Sequence, residues 1–110
     1  MQGSIRDRRP SVRKGAVDAL GRLRDPRALD PIATAMDDPE EIVRKNATHA
    51  LTQFGKPGSD RLISALGHDS PRVRKATAGM IHTLQDPSVV EPLIAMLKDK
   101  DPGVRYAAAY

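Results

Sequence analysis

From Val12 onward, apolar side chains fall at Val12, Ala16, Ala19, Leu20 and Leu23, three or four positions apart, which lines one face of a helix. The same run recurs at Val43, Ala47, Ala50, Leu51 and Phe54, and again at Val73, Thr77, Met80, Ile81 and Leu84. A shorter helical run follows each one. These runs are Leu29, Ile32, Ala33, Met36; then Leu62, Ile63, Leu66; then Val90, Leu93, Ile94, Leu97. Proline opens the long run in three of four copies (Pro10, Pro71, Pro102), at the first helical turn, where its missing N–H costs nothing. Asp25-Pro26, Lys56-Pro57 and Asp86-Pro87 separate long run from short, because the residue before proline avoids helical backbone.

The period is regular. Val-Arg pairs stand at Val12-Arg13, Val43-Arg44, Val73-Arg74 and Val104-Arg105, spaced 31, 30 and 31 residues apart. Helix pairs of this size cannot bury their apolar faces alone, but stacked neighbours share one continuous core. The expected fold is all-α: a solenoid of about three helix pairs, forming a single domain over residues 1–110. Its repeats run over about 9–38, 39–68 and 69–99, with a partial copy at 100–110. Ser4 and Ile5 share the register of Ala65 and Leu66, so the chain is expected to begin in the tail of a second helix and to stop inside a first one. Uncovered ends of that kind suit a fragment of a longer array, or a homo-oligomer that stacks or exchanges its ends. Small residues at Ala16, Ala19, Ala47, Ala50 and Ala76 suit close helix approach, while Gly15, Asn46 and Gly79 weaken helices locally.

The pattern Pro-x-Val-Arg-x-x-Ala, then Ala-Leu-Gly-x-Leu-x-Asp-Pro and Pro-Ile over residues 10–32, resembles the HEAT-like repeat of phycobilisome lyases, and residues 86–97 resemble its second half. The resemblance covers nearly the whole chain. It implies a right-handed superhelix with first helices on the convex side and second helices on the concave side. Repeat 2 departs from it: Glu41 replaces the opening proline, Phe54-Gly55-Lys56-Pro57-Gly58 replaces Leu-x-Asp-Pro, and the connecting turn is one residue shorter.

Composition narrows the chemistry. Cysteine is absent, which excludes disulfides, thiolate catalysis and cysteine-ligated zinc and fits a cytoplasmic location. Aromatics are 3% of the chain, so the core must be built from aliphatic residues. No apolar run approaches the ~18 residues of a membrane span. The net charge of +4 is concentrated at one end, since residues 1–27 carry eight Lys/Arg against three Asp. One basic end is weaker evidence for nucleic acid than a stripe along the whole chain.

No catalytic constellation stands out, and the chain is expected not to be an enzyme and to need no cofactor. His49, His68 and His82 do not share a register and lack the His-Glu pairs with which the HEAT-like deoxyhypusine hydroxylase holds iron; they are expected at the surface and bind no metal. The serines Ser4, Ser11, Ser59, Ser64, Ser70 and Ser88 lie mostly at helix starts or turns, where capping is expected. The carboxylates at Asp37, Asp38, Glu40 and Glu41 stand at a helix start and suit its dipole or a nearby arginine.

The arginine column Arg13, Arg44, Arg74 and Arg105 sits in the first turns of helices, where a cation is disfavoured. An acidic loop residue such as Asp38, Asp69, Asp99 or Asp101 is the expected counterpart, and a guanidinium fork bridging repeats would form a structural ladder. On the second helices, the positions turned away from the core read Asp30, Asp60 and Glu91; Thr34, Ser64 and Ala95; and Asp37, Gly67 and Lys98. This polar, mildly acidic strip is the expected docking surface for a protein partner. The leading reading is therefore a non-catalytic scaffold module. The alternatives are a nucleic-acid-binding module using the basic end and the arginine column, or a non-catalytic part of a phycobilin lyase-like complex.

Overall fold

The computed structural model describes residues 4–109. Among the described residues seven α-helices follow one another: α1 (Pro10–Leu23), α2 (Leu29–Ala35), α3 (Glu41–Leu51), α4 (Lys56–Ala65), α5 (Pro71–Ala78), α6 (Val90–Met96) and α7 (Pro102–Ala109). The described residues contain no strand. The odd-numbered helices form one layer, in which α1 packs on α3, α3 on α5 and α5 on α7. The even-numbered helices form the second layer, each set against the first helix of the repeat that follows it. The result is an α-solenoid slab of 42 × 26 × 20 Å.

Its core runs unbroken through the repeats, because homologous positions of successive copies meet. Val17, Ile32, Val43, Leu51, Leu62, Val73 and Ile81 belong to one buried cluster. Thr48 and Thr77 are buried in the first-helix layer without cost, since their hydroxyls donate to the carbonyls of Lys45 and Val73, both at 2.8 Å. The expected inner faces need correction at both flanks. Ala19 and Leu23 are exposed, Leu23 by 71%, because α1 turns Ala16, Val17 and Gly21 toward α3 and no described helix lies beyond it. Val90 and Ile94 of α6 and Leu97 at its C-cap are about half exposed, and only the Leu93 and Met96 side reaches the core.

Repeat 2 differs where its sequence differs. In repeats 1 and 3 the Asp-Pro pair opens a 3-10 turn (Pro26–Ala28, Pro87–Val89) in which the side chain of Asp25 or Asp86 accepts the N–H of the second residue, Arg27 or Ser88. Repeat 2 instead places its 3-10 turn earlier, over Thr52–Phe54, and α4 starts at Lys56, ahead of the expected apolar run. Gly55 makes the corner with φ +67° and ψ −141°, backbone that a side chain disfavours. Gly58 then lies so close to Leu51 that an added Cβ would sit 1.8 Å from its carbonyl oxygen. Glycine is thus demanded twice in the shorter connection. In repeat 3 the first helix stops at Ala78 and continues after Gly79-Met80 as a 3-10 turn over Ile81–Leu84, although the apolar run predicts one helix through Leu84. Glycine beside β-branched Thr77 gives that segment poor helix propensity.

Candidate functional site: arginine rungs and two outer faces

The four loops that lead into first helices share one local geometry. The residue five before each Val of the Val-Arg pair closes a turn through its N–H, from Asp7 to Ser4, Asp38 to Ala35, His68 to Ala65 and Asp99 to Met96. The side chain at this position then accepts the backbone N–H two residues on: Arg9, Glu40, Ser70 and Asp101 donate at 2.9 Å each. Three copies use an aspartate and the third copy uses His68, whose Nδ1 is the acceptor. The expected serine caps give way to this arrangement. Ser70 stands at the N-cap of α5 but makes no side-chain cap bond; its hydroxyl donates to Asp37 at 2.8 Å. On α7 the cap is Asp101, which accepts from the N–H groups of Gly103 and Val104.

Each arginine of the column grips the loop before its own helix. Arg13 Nη1 donates to the carbonyls of Asp7 and Arg8, Arg44 Nη1 to Asp38 and Pro39, Arg74 Nη1 to His68 and Asp69, and Arg105 Nη1 to Asp99. These carbonyls answer why a cation tolerates the positive end of a helix. The opposite edge of the fork reaches the loop that leads into the next repeat. Arg13 Nε and Nη2 donate to both oxygens of Asp38 at 2.7 and 3.0 Å, and Arg74 does the same to Asp99 at 2.8 and 3.1 Å. Both pairs are largely shielded, the Arg74 and Asp99 side chains at 8% exposure each. Burial pushes the Asp38 carboxyl up, but the bonds from Arg13 and the Glu40 N–H outweigh it and hold the group below the usual carboxylate range. Asp99 is held low chiefly by its bonds from Arg74 and from the Asp101 N–H.

The rung between repeats 2 and 3 is missing. The register that puts Asp38 opposite Arg13 and Asp99 opposite Arg74 puts His68 opposite Arg44. Arg44 keeps its two carbonyls, and among the described residues no acceptor meets its Nε and Nη2. Asp69, expected as a possible counterpart, bonds to Arg74 through its backbone carbonyl, not its carboxylate. His68 was foreseen only as a surface histidine. The signal for its role lies in the sequence, five positions before Val73, where the other copies have Asp7, Asp38 and Asp99. His49 and His82 are exposed, and no cluster of metal-ligating side chains occurs among the described residues.

The second-helix strip lies on the surface: Asp30, Thr34, Asp60, Ser64, Glu91, Ala95 and Lys98 are all exposed. Its first part borders a shallow depression of about 550 Å³ that includes Asp30, Thr34 and Asp37. Its acids are partly engaged within the protein. Asp30 pairs with Arg61 at 2.7 Å and Asp60 with Lys56 at 3.2 Å. Asp37 is half-buried and takes Arg72 Nε at 2.6 Å together with the Ser70 hydroxyl, so it ties repeat 1 to the start of repeat 3. Burial raises the Asp37 carboxyl, yet the Arg72 and Ser70 bonds leave it below its ordinary value.

On the first-helix layer a larger groove of about 900 Å³ opens between α3, α5 and the second half of α7. Arg44, Lys45, Arg72 and Lys75 line it against one acid, Glu41. Nothing in the sequence pattern pointed to this groove, because a cleft between two first helices is a matter of how closely they pack.

The HEAT-repeat family profile matches residues 1–60 and again 59–110. The match spans the whole chain and agrees with the stacked helix pairs, so the chain belongs to the HEAT-repeat family. No curated protein matches it. No helix among the described residues is long and apolar enough to cross a membrane.

Proposed function

We propose that this chain is a non-catalytic HEAT scaffold that binds a protein partner through the exposed face of its second helices. The observation that carries this reading is the exposure of Asp30 and Thr34, Asp60 and Ser64, and Glu91, Ala95 and Lys98, equivalent positions that three successive repeats present to solvent. Solenoids bind extended partners by adding small contributions along such a surface. The acidic edge suits a basic or polar segment and repels a phosphate backbone. Aromatic anchors are missing from these positions, and Arg61 and Lys56 already compete for the acids, so affinity should be modest. Within the family, the Pro-x-Val-Arg and Asp-Pro landmarks favour the phycobilisome-lyase type of HEAT-like repeat. The absence of cysteine supports work in a reducing compartment such as the cytoplasm.

The test is titration of the ¹⁵N-labelled protein with a lysine- and serine-rich peptide. Amide shifts along α2, α4 and α6 that disappear in an Asp30→Lys, Asp60→Lys, Glu91→Lys triple variant support the reading. No shift at low salt, or shifts that persist in the triple variant, would refute it.

A further inference from the structure

We infer that the groove between α3 and α5 is a second docking surface, and that its occupant is an acidic segment of another protein, with one carboxylate seated on the unoccupied edge of Arg44. Two independent observations converge there. The first is the missing rung. The Nε and Nη2 edge of the fork holds a carboxylate at Arg13 and at Arg74, and at Arg44 the residue that would supply it is His68. Arg44 itself is fixed in place by the carbonyls of Asp38 and Pro39, so its fork is preorganised for an incoming acceptor. The second is the groove that Arg44 borders, a space of about 900 Å³ with Arg44, Lys45, Arg72 and Lys75 on its walls against Glu41.

The cations are not equivalent. Arg72 is committed to Asp37 at 2.6 Å, and Lys45 has a loose partner in Glu41 at 3.8 Å. Lys75 is exposed and makes no ion pair among the described residues. Arg44 and Lys75 are therefore the two charges a ligand can satisfy without displacing an internal bond. The same groove is lined by the apolar side chains of half-buried Met80 and Leu84. The matching ligand carries two carboxylates flanking an apolar side chain. A carboxylate is favoured over a phosphate because the same edge of the same fork already binds carboxylates at both neighbouring junctions, with two parallel bonds. This surface is independent of the second-helix strip, and one chain with an acidic strip and a basic groove could hold two partners of opposite charge.

The probe is a short fluorescein-labelled peptide of alternating glutamate and leucine, followed by fluorescence anisotropy at low salt. The wild-type chain should bind it, more weakly as salt rises, and should bind the lysine–leucine counterpart much less well. His68→Asp supplies the missing carboxylate from within and should weaken binding about tenfold, with no loss of melting temperature. Lys75→Glu should weaken binding comparably, whereas Lys98→Glu, the same charge change in the turn after α6, should leave it unaltered. The inference is overturned if the glutamate peptide does not bind, if His68→Asp binds as tightly as wild type, if Lys98→Glu matches Lys75→Glu, or if a single-stranded oligonucleotide binds more tightly than the peptide. The triple variant of the second-helix strip should bind the glutamate peptide undiminished, so failure of one surface is distinguishable from failure of the other.

Discussion

The junction between repeats 1 and 2 and the junction between repeats 2 and 3 are built from the same sequence pattern and differ in how they close. At the first, α1 lies along α3, Gly21 brings the backbones together so that its absent Cβ would be 2.9 Å from that of Ala50, Asn46 bonds to Asp18 at 2.8 Å, and Arg13 grips Asp38. At the second, α3 and α5 touch far less, α5 ends early at Ala78, and His68 stands at the register that Asp38 and Asp99 hold in the other loops. The tight junction between α5 and α7 again carries a full rung, Arg74 to Asp99. Close packing and the carboxylate rung occur together, and the groove opens where both are lacking. The two junctions thus differ in a loop residue and in helix length, while the core pattern of the repeat is retained.

The largest expected effect comes from the corner that repeat 2 alone requires. Gly58→Ala drives a methyl group into the Leu51 carbonyl and should destabilise the fold by about 3 kcal/mol, read as a lowered denaturant midpoint. Next comes the rung itself. Asp38→Ala leaves Arg13 shielded without its carboxylate and removes the acceptor for the Glu40 N–H, at a cost of about 2 kcal/mol. His68→Ala loses only the bond to Ser70 and should cost about 0.5–1 kcal/mol. If the two substitutions cost the same, the distinction between the junctions fails.

The rungs also set an acid response. Asp38 and Asp99 have native values below the ordinary 3.8, so the native state binds fewer protons than the unfolded chain in that region. Their contribution is complete above about pH 5 and is lost as pH falls through the lowered native values. Asp38→Asn should accordingly flatten stability between about pH 5 and pH 2 relative to wild type, measured by urea midpoints. The reverse change, His68→Asp, should stabilise the open junction by about 1 kcal/mol and extend the acid response to it. The smallest effect is expected at Gly15, which has no neighbour within 4 Å of an added Cβ, so Gly15→Ala should add about 0.5–1 kcal/mol through helix propensity alone.

Much of this organisation was legible in the sequence, because it rests on periodic, short-range chemistry. Helical spacing marked Val43, Leu51, Leu62 and Val73 as core, and all are buried. Pro10, Pro71 and Pro102 open the helices they were expected to open. Departures arose where a neighbour decides the outcome. Leu23, Val90, Ile94 and Leu97 fit the apolar face of their helices but have no described helix to cover them. Ser70 looked like a cap and instead bonds to Asp37, thirty-three positions earlier, a contact that only the stacked repeats create. The acidic strip was placed on the surface by helical geometry, yet its pairing of Asp30 with Arg61 and Asp37 with Arg72 crosses between helices and leaves no trace in local pattern. The groove beside Arg44 depends on the separation of two helix axes, which no single period encodes.

The most direct measurement of the difference between the junctions is native-state hydrogen exchange, compared between wild type and His68→Asp. Amides of α1 and α3 should be the best protected, those of α5 and the 3-10 turn over Ile81–Leu84 should open at lower free energy, and His68→Asp should raise protection in α5 selectively. Equal protection across all repeats, or a gain spread evenly over the chain, would contradict the assignment of the weak junction to the missing rung.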